Sequence, residues 1–305
     1  MSVRTIASID DVQEMLAQQR YVADRNLAVS IYLAATLGRP LFLEGEAGVG
    51  KTEVAKVLAT GLGRRLIRLQ CYEGLDVNHA VYEWNYAKQI LHIRLAEAHA
   101  GDRERAKIER EIFGPEFLIK RPLLQAIEEH DDAPAVLLID EIDRADEEFE
   151  AFLLELLSDF QVTVPEIGTF RAKTPPLVVL TSNRTREVHD ALKRRCLYHW
   201  IDYPDVAREA RIVESKVPGV GHRLALEAAA LVATLRSDSF YKHPGVAETI
   251  DWAAALVTLG KSQLDERSVS ETIGCLLKYQ EDVAKARDAA LGTRVERAQK
   301  VASSA

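Results

Sequence analysis

The sequence predicts an α/β fold built on a mainly parallel sheet, followed by an all-helical C-terminal region. Three observations carry this prediction. Short apolar runs alternate with amphipathic helical stretches from about residue 25 to 203. Two of those runs, AVLLI at 135–139 and LVVL at 177–180, are unbroken, as in strands buried on both faces. After Pro204 the strand pattern stops, and stretches such as HRLALEAAALVATL (222–235) read as helix rich in Ala and Leu.

Taken in order, a helix over Asn26–Leu37 follows a candidate N-cap at Asp24 and is broken by Gly38 and Pro40. Strands are expected at Leu41–Leu43, Leu66–Gln70, Ala135–Ile139, Leu177–Thr181 and Tyr198–Tyr203, five in all. A helix opening at Lys51 carries Val54, Val57, Leu58 and Leu62 on one face. The run at 96–112 is dense in mixed charge and reads as a solvated helix. QVTVPEIGTF (161–170) reads as a hairpin, with Pro165 and Gly168 near its turn. A boundary near 204 then divides an α/β domain, 1–204, from a helical domain, 205–305, whose last residues fray.

Composition narrows the partners. Lys and Arg number 39 against 47 Asp and Glu, a net charge of −8, which counts against a generic grip on nucleic acid or anionic lipid. A local basic patch stays compatible with that balance. Cys71, Cys196 and Cys275 are far apart, which excludes a disulfide framework or thiolate metal cluster and suits a reducing compartment. The opening MSVRTIASIDD lacks the basic and apolar regions of a signal peptide. No stretch approaches about 18 uninterrupted apolar residues, so a soluble, cytoplasmic protein is expected. The eight histidines are scattered without HExxH spacing and read as surface or core residues.

The segment GEAGVGKT, comprising Gly45, Glu46, Ala47, Gly48, Val49, Gly50, Lys51 and Thr52, matches the phosphate-loop pattern in full, between a strand and a helix. Gly45, Gly48 and Gly50 let backbone N–H groups turn around phosphate oxygens, where a Cβ would intrude. The helix N-terminus adds partial positive charge. Lys51 would reach the β- and γ-phosphates, and the Thr52 hydroxyl would ligate Mg²⁺.

AVLLIDEIDRA (135–145) puts Asp140 and Glu141 at the C-terminal end of a buried strand, the sheet edge where ligands bind in open α/β folds. Asp140 would hold Mg²⁺ through water. Glu141 would orient and activate an attacking water, which favours hydrolysis over transfer to a hydroxyl. LVVLTSN ends at Asn183, which would hydrogen-bond the attacking water if its strand lies between the first and third. Arg194 and Arg195 follow about twelve residues later; either is a candidate to stabilise transition-state charge from outside the site, with Arg195 preferred.

Together, GEAGVGKT, LLIDEIDRA, Asn183 and the Arg194–Arg195 pair resemble the AAA+ ATPases, over about residues 20–290. DEIDRA, FGPEFL (113–118) and the pairing of QVTVPEIGTF with LVVLTSN are similar to the MoxR branch. RRCLYHWIDYP and HPGVAETIDWA look most like its CoxD-type subgroup, associated with maturing molybdenum hydroxylases such as carbon monoxide dehydrogenase. The resemblance implies a five-stranded α/β domain with a small helical lid, ATP and Mg²⁺ as ligands, and rings that are usually hexameric. It further implies an arginine finger acting on the neighbouring subunit's ATP, inserts near 72–90 and 161–170, and a partner with a von Willebrand factor A domain. The client would be a metalloenzyme whose cofactor or metal site is assembled; a DNA-acting motor or loader is the alternative, with no nucleic acid expected on charge. One departure stands out. The lid stretch PGVAETIDW carries no arginine where the MoxR branch has one for the γ-phosphate, so Lys242 substitutes or the lid senses nucleotide differently. Tyr82 and Trp84 are read either as an exposed client-gripping pair or as ordinary loop packing.

Overall fold

A computed structural model describes residues 6–97, 111–128, 133–288 and 290–304. Most of the charged run at 96–112 lies outside the described residues. The chain divides into two compact units. One comprises Met1–Ile9, Asn26–Glu44 and Ala55–His199; the other comprises Asp10–Arg25, Gly45–Val54 and Trp200–Ala305.

The sheet is five-stranded and parallel, and each expected strand forms within one or two residues of its predicted ends. The strands are β1 (Leu41–Gly45), β2 (Leu66–Gln70), β5 (Val136–Asp140), β8 (Leu177–Ser182) and β9 (Leu197–Ile201). Their order is β2-β5-β8-β1-β9. β5, β8 and β1 are buried at every position, because they are central and covered on both faces. β2, at one edge, alternates instead: Ile67 and Leu69 are buried while Arg68 is exposed. Register places Glu44 opposite Ser182, and Gln70 opposite Asp140. The polar ends of the central strands therefore share one edge, as the parallel direction of the strands requires.

The sheet packs against its helices through one continuous core that includes Phe42, Leu69, Leu137, Ile139, Phe149, Leu153, Leu180 and Leu192. Two short antiparallel pairs branch from it. β3 (Tyr82–Trp84) pairs with β4 (Leu118–Lys120), and the expected hairpin forms from β6 (Gln161–Val164) and β7 (Gly168–Arg171). Trp84 is 8% exposed and meets Phe113 edge-on at 5.3 Å, so it is a packing residue and not an exposed grip. β3 and β4 escaped prediction because three-residue strands are too short to show a period.

In the second unit, helices Val206–Lys216, His222–Ser237, Val246–Thr258, Glu266–Thr272, Gln280–Ala286 and Leu291–Ser304 follow the last strand. Trp252, fully buried, joins Leu231, Leu235, Leu256 and Ile273 in their core, and its indole N–H is satisfied by Thr272 Oγ1 at 2.7 Å. This unit also holds helix Ile9–Gln18 from Asp10 onward, a helix the sequence pattern does not announce. Its apolar positions Val12, Met15 and Leu16 sit at helical spacing within too short a window to stand out.

Candidate functional site

The glycine-rich loop leaves β1 at Gly45 and enters helix Lys51–Leu62. A Cβ on Gly45 would collide with the Ile201 carbonyl. Gly48 has φ +78° and lies where a Cβ would be 3.1 Å from the Gly245 Cα. Both positions demand glycine for these reasons. Lys51 is 6% exposed and its Nζ turns back into the loop, donating to the carbonyls of Gly45 at 2.7 Å and Glu46 at 2.6 Å. Glu46 and Ala47 are exposed, Val49 is buried, and Thr52 is half-buried in the first helical turn.

Within the same unit, the N-terminus of helix Val246–Thr258 docks on the loop. The backbone N–H groups of Val246 and Ala247 donate to the Gly48 carbonyl at 3.0 and 3.2 Å. Gly245 must be glycine, since a Cβ there would come within 2.8 Å of the Ala47 carbonyl. The turn is anchored from behind. Arg236 Nε donates to the Pro244 carbonyl at 2.8 Å, and its guanidinium makes a two-pronged pair with Glu209 at 2.6 and 2.8 Å. Thr249 Oγ1 also donates to Glu209, at 2.6 Å. Lys242, the cation considered for the missing lid arginine, is exposed, and its backbone N–H donates to Asp282 Oδ2 at 3.3 Å.

The acidic pair closes β5. Asp140 is 2% exposed; its Oδ1 accepts from Thr181 Oγ1 at 2.6 Å, and its Oδ2 accepts from Arg68 Nη2 at 2.5 Å and Nε at 3.0 Å. Glu141 is left-handed, φ +56° and ψ +52°, an unfavourable conformation for a residue other than glycine that costs about 1–3 kcal/mol. Its N–H donates to Thr181 Oγ1 at 2.9 Å, so one hydroxyl ties both acidic residues to β8. The Glu141 carboxylate accepts from Gln70 Nε2 at 3.1 Å and Asn183 Nδ2 at 3.4 Å, and pairs with Arg144 at 3.1 Å. The role expected of Asn183 requires its strand to lie between the first and third, and β8 lies between β1 and β5.

Arg194 and Arg195 end helix Asp190–Arg195, and both are exposed. Arg195 Nη1 donates to the Leu154 carbonyl at 2.7 Å, while Arg39 donates to the carbonyls of Arg194 and Arg195 at 2.7 and 3.2 Å. These bonds fix the helix end just ahead of β9.

Several contributors were missed from sequence. Asp143, buried, accepts from the N–H groups of Asn183 at 3.2 Å and Thr185 at 2.8 Å, and so fastens the end of β8 to the turn after β5. Arg68 and Gln70 reach the acidic pair from β2. The signal for them was the polar alternation in LIRLQ, which marks an edge strand with one open face. No spacing rule links them to residues some seventy positions later.

Burial pushes the thiols of Cys71 and Cys196 up to about 12, with the nearby Asp140 and Asp143 charges adding to the effect at Cys71. Thiolate is the reactive form, so neither acts as a nucleophile near neutral pH. Native protein at pH 8 is expected to react with a disulfide reagent at Cys275 first. The slow appearance of the other two thiols on unfolding would be the check, and rapid labelling of Cys71 in folded protein would contradict the burial.

A five-stranded parallel sheet of this order, with a glycine-rich turn leading from β1 into helix Lys51–Leu62, defines the class of α/β fold. The profile of the AAA domain (dynein-related subfamily) matches residues 40–196, just over half of the chain, and the chain belongs to that family. Membership implies an ATPase that binds ATP with Mg²⁺. No curated protein matches the sequence. Among solved structures, a proline-to-glycine variant of Thermotoga maritima RuvB is 15% identical, with TM-score 0.49, over 91% of this chain and 73% of that one. Thermotoga maritima RuvB itself, described as a Holliday junction branch migration motor, is 16% identical, with TM-score 0.43, over 86% and 68%. A candidate ATPase from Cytophaga hutchinsonii is 15% identical, with TM-score 0.45, over 96% and 94%. Among the described residues no helix is long and apolar enough to cross a membrane.

Proposed function

We propose that this chain is a MoxR-type AAA+ ATPase that works as a ring, usually hexameric in the family, and couples ATP hydrolysis to remodelling a client protein. The observation that carries the reading is the glycine-bound turn from Gly45 to Thr52 opening a helix, in a chain of the AAA family. Gly45, Glu46, Ala47, Gly48, Val49 and Gly50 supply the phosphate-binding backbone, and Lys51 the cation that follows the β- and γ-phosphates. Thr52 and Asp140 offer hard oxygen donors of the kind Mg²⁺ prefers. Among the described residues no group of three His, Cys, Asp or Glu could hold a metal alone, which suits an ion carried largely by phosphate and water. When bound, Mg²⁺ neutralises charge developing on the phosphates. Glu141 takes the proton of the attacking water and Asn183 holds that water's orientation. Arg195, or Arg194 one position earlier, serves the ATP of the adjacent subunit. The boundary near 204 separates the nucleotide-binding domain from the helical lid.

The finer reading follows the CoxD-type likeness of RRCLYHWIDYP and HPGVAETIDWA. The client is then a molybdenum hydroxylase such as carbon monoxide dehydrogenase during cofactor or metal-site assembly, and a von Willebrand factor A domain protein is the partner, in the cytoplasm. A DNA-acting motor remains the competing reading; the net charge of −8 weighs against it.

The deciding measurement is Mg²⁺-dependent ATPase activity per subunit against protein concentration, with Lys51→Ala, which should lose nucleotide binding, as the blank. Specific activity is expected to climb and then saturate as shared sites form. Arg195→Ala should bind ATP, fail to hydrolyse it and poison mixed rings. A fully active monomer at high dilution would overturn the mechanism.

A further inference from the structure

Asp140 carries a counter-ion that no sequence motif specifies. Its buried carboxylate is met by the Arg68 guanidinium through two donors on one oxygen, Oδ2, at 2.5 and 3.0 Å. Arg68 reaches this oxygen from β2, an edge strand of the sheet, and its side chain is 49% exposed. Gln70, two residues further along the same strand face, also contacts the guanidinium, accepting from Nη2 through its Oε1. The head group is thus held by a built polar site, while the stem has solvent to move into.

A buried carboxylate needs a cation or several hydrogen bonds to offset its lost hydration. Thr181 supplies one hydrogen bond, on Oδ1. On Oδ2, the guanidinium and a water held by a divalent ion would compete, because both bring positive charge and both donate to the same lone pairs. We infer that Arg68 is the internal counter-ion of Asp140 and sets its affinity for divalent metal, giving up Oδ2 when the metal arrives. Arg68 is a positioning residue in this scheme, since it acts through Asp140. The inference rests on the proposed role of Asp140 as the Mg²⁺ residue. It also predicts that low Mg²⁺ leaves Asp140 paired with Arg68.

The test is binding of Mn²⁺, followed by the loss of its free-ion paramagnetic resonance signal, to the full chain with a non-hydrolysable ATP analogue. Arg68→Met keeps the stem and removes the charge; it should bind Mn²⁺ about ten-fold more tightly, the scale of one charge-assisted hydrogen bond. Arg68→Lys, a single-pronged cation, should fall between Arg68→Met and wild type. In an Asp140→Asn background, Arg68→Met should change nothing. Equal or weaker Mn²⁺ binding by a folded Arg68→Met, with Arg68→Lys unchanged, would overturn the inference and leave the ATPase reading standing. Mn²⁺ binding by Asp140→Asn at wild-type strength would instead remove Asp140 from the metal site and overturn the functional reading beneath it.

Discussion

Glu141→Gln is expected to bind ATP as wild type does and to hydrolyse it about 10²–10⁴-fold more slowly, the contribution of a positioned general base. The substitution is nearly isosteric. The left-handed backbone at φ +56° is set by the turn and by the Glu141 N–H bond to Thr181, neither of which involves the carboxylate. Gln70 Nε2 donates to one carboxylate oxygen and Asn183 Nδ2 to the other, so the amide oxygen keeps one of these bonds while the new NH2 group faces the other donor. The Arg144 pair is lost, but it is partly exposed and worth at most about 1 kcal/mol. What disappears is the carboxylate that could accept a proton from water. Single-turnover phosphate release and retention of labelled ATP would measure the two halves of this expectation. Wild-type turnover by Glu141→Gln would remove Glu141 from the mechanism.

Glu209→Ala is expected to destabilise the helical unit by about 3–5 kcal/mol, the usual consequence of leaving one member of a buried ion pair behind. Glu209 is fully buried and Arg236 is 8% exposed. Removing the carboxylate strands the guanidinium over the Tyr203 ring, 4.3 Å from its centroid, with the Pro244 carbonyl as a remaining acceptor. A fall in thermal midpoint on the order of 10 °C is the readout. The double substitution Glu209→Leu with Arg236→Met should cost less than the sum of the two singles, because no charge is left unpaired. The same change should weaken ATP binding. Arg236 holds the Pro244 turn, and that turn presents the Val246 and Ala247 N–H groups to Gly48 of the phosphate loop. Unchanged nucleotide affinity in a folded Glu209→Ala would show that the turn holds the loop without its anchor.

Strand positions were legible because central parallel strands are continuous apolar runs, and this chain has them at β5 and β8. The turn from Gly45 to Thr52 was legible because its residue types follow from local backbone needs: glycine where φ is positive or a carbonyl presses close, then a helix opening at Lys51. Asp140 and Glu141 were legible because they end such a run. Arg68, Gln70, Asp143 and Arg236 were not. Each acts across a gap in sequence that only strand order and helix packing close, and each would pass as a surface or capping charge when read alone. For a related reason the sequence left Trp84 open between an exposed grip and loop packing, and the structure shows packing. Its burial depends on Phe113, a residue nearly thirty positions away.

The sequence by itself determined the fold class, the five main strands and the glycine-rich turn after the first of them, since apolar periodicity and backbone geometry are properties of short segments. Tertiary structure alone decided that Arg68 neutralises Asp140, that Thr181 binds both acidic residues, and that a helix N-terminus closes on Gly48. Electrostatic pairing and backbone docking depend on distance in space, and a hydrogen bond between residues 68 and 140 leaves no mark on the spacing of either.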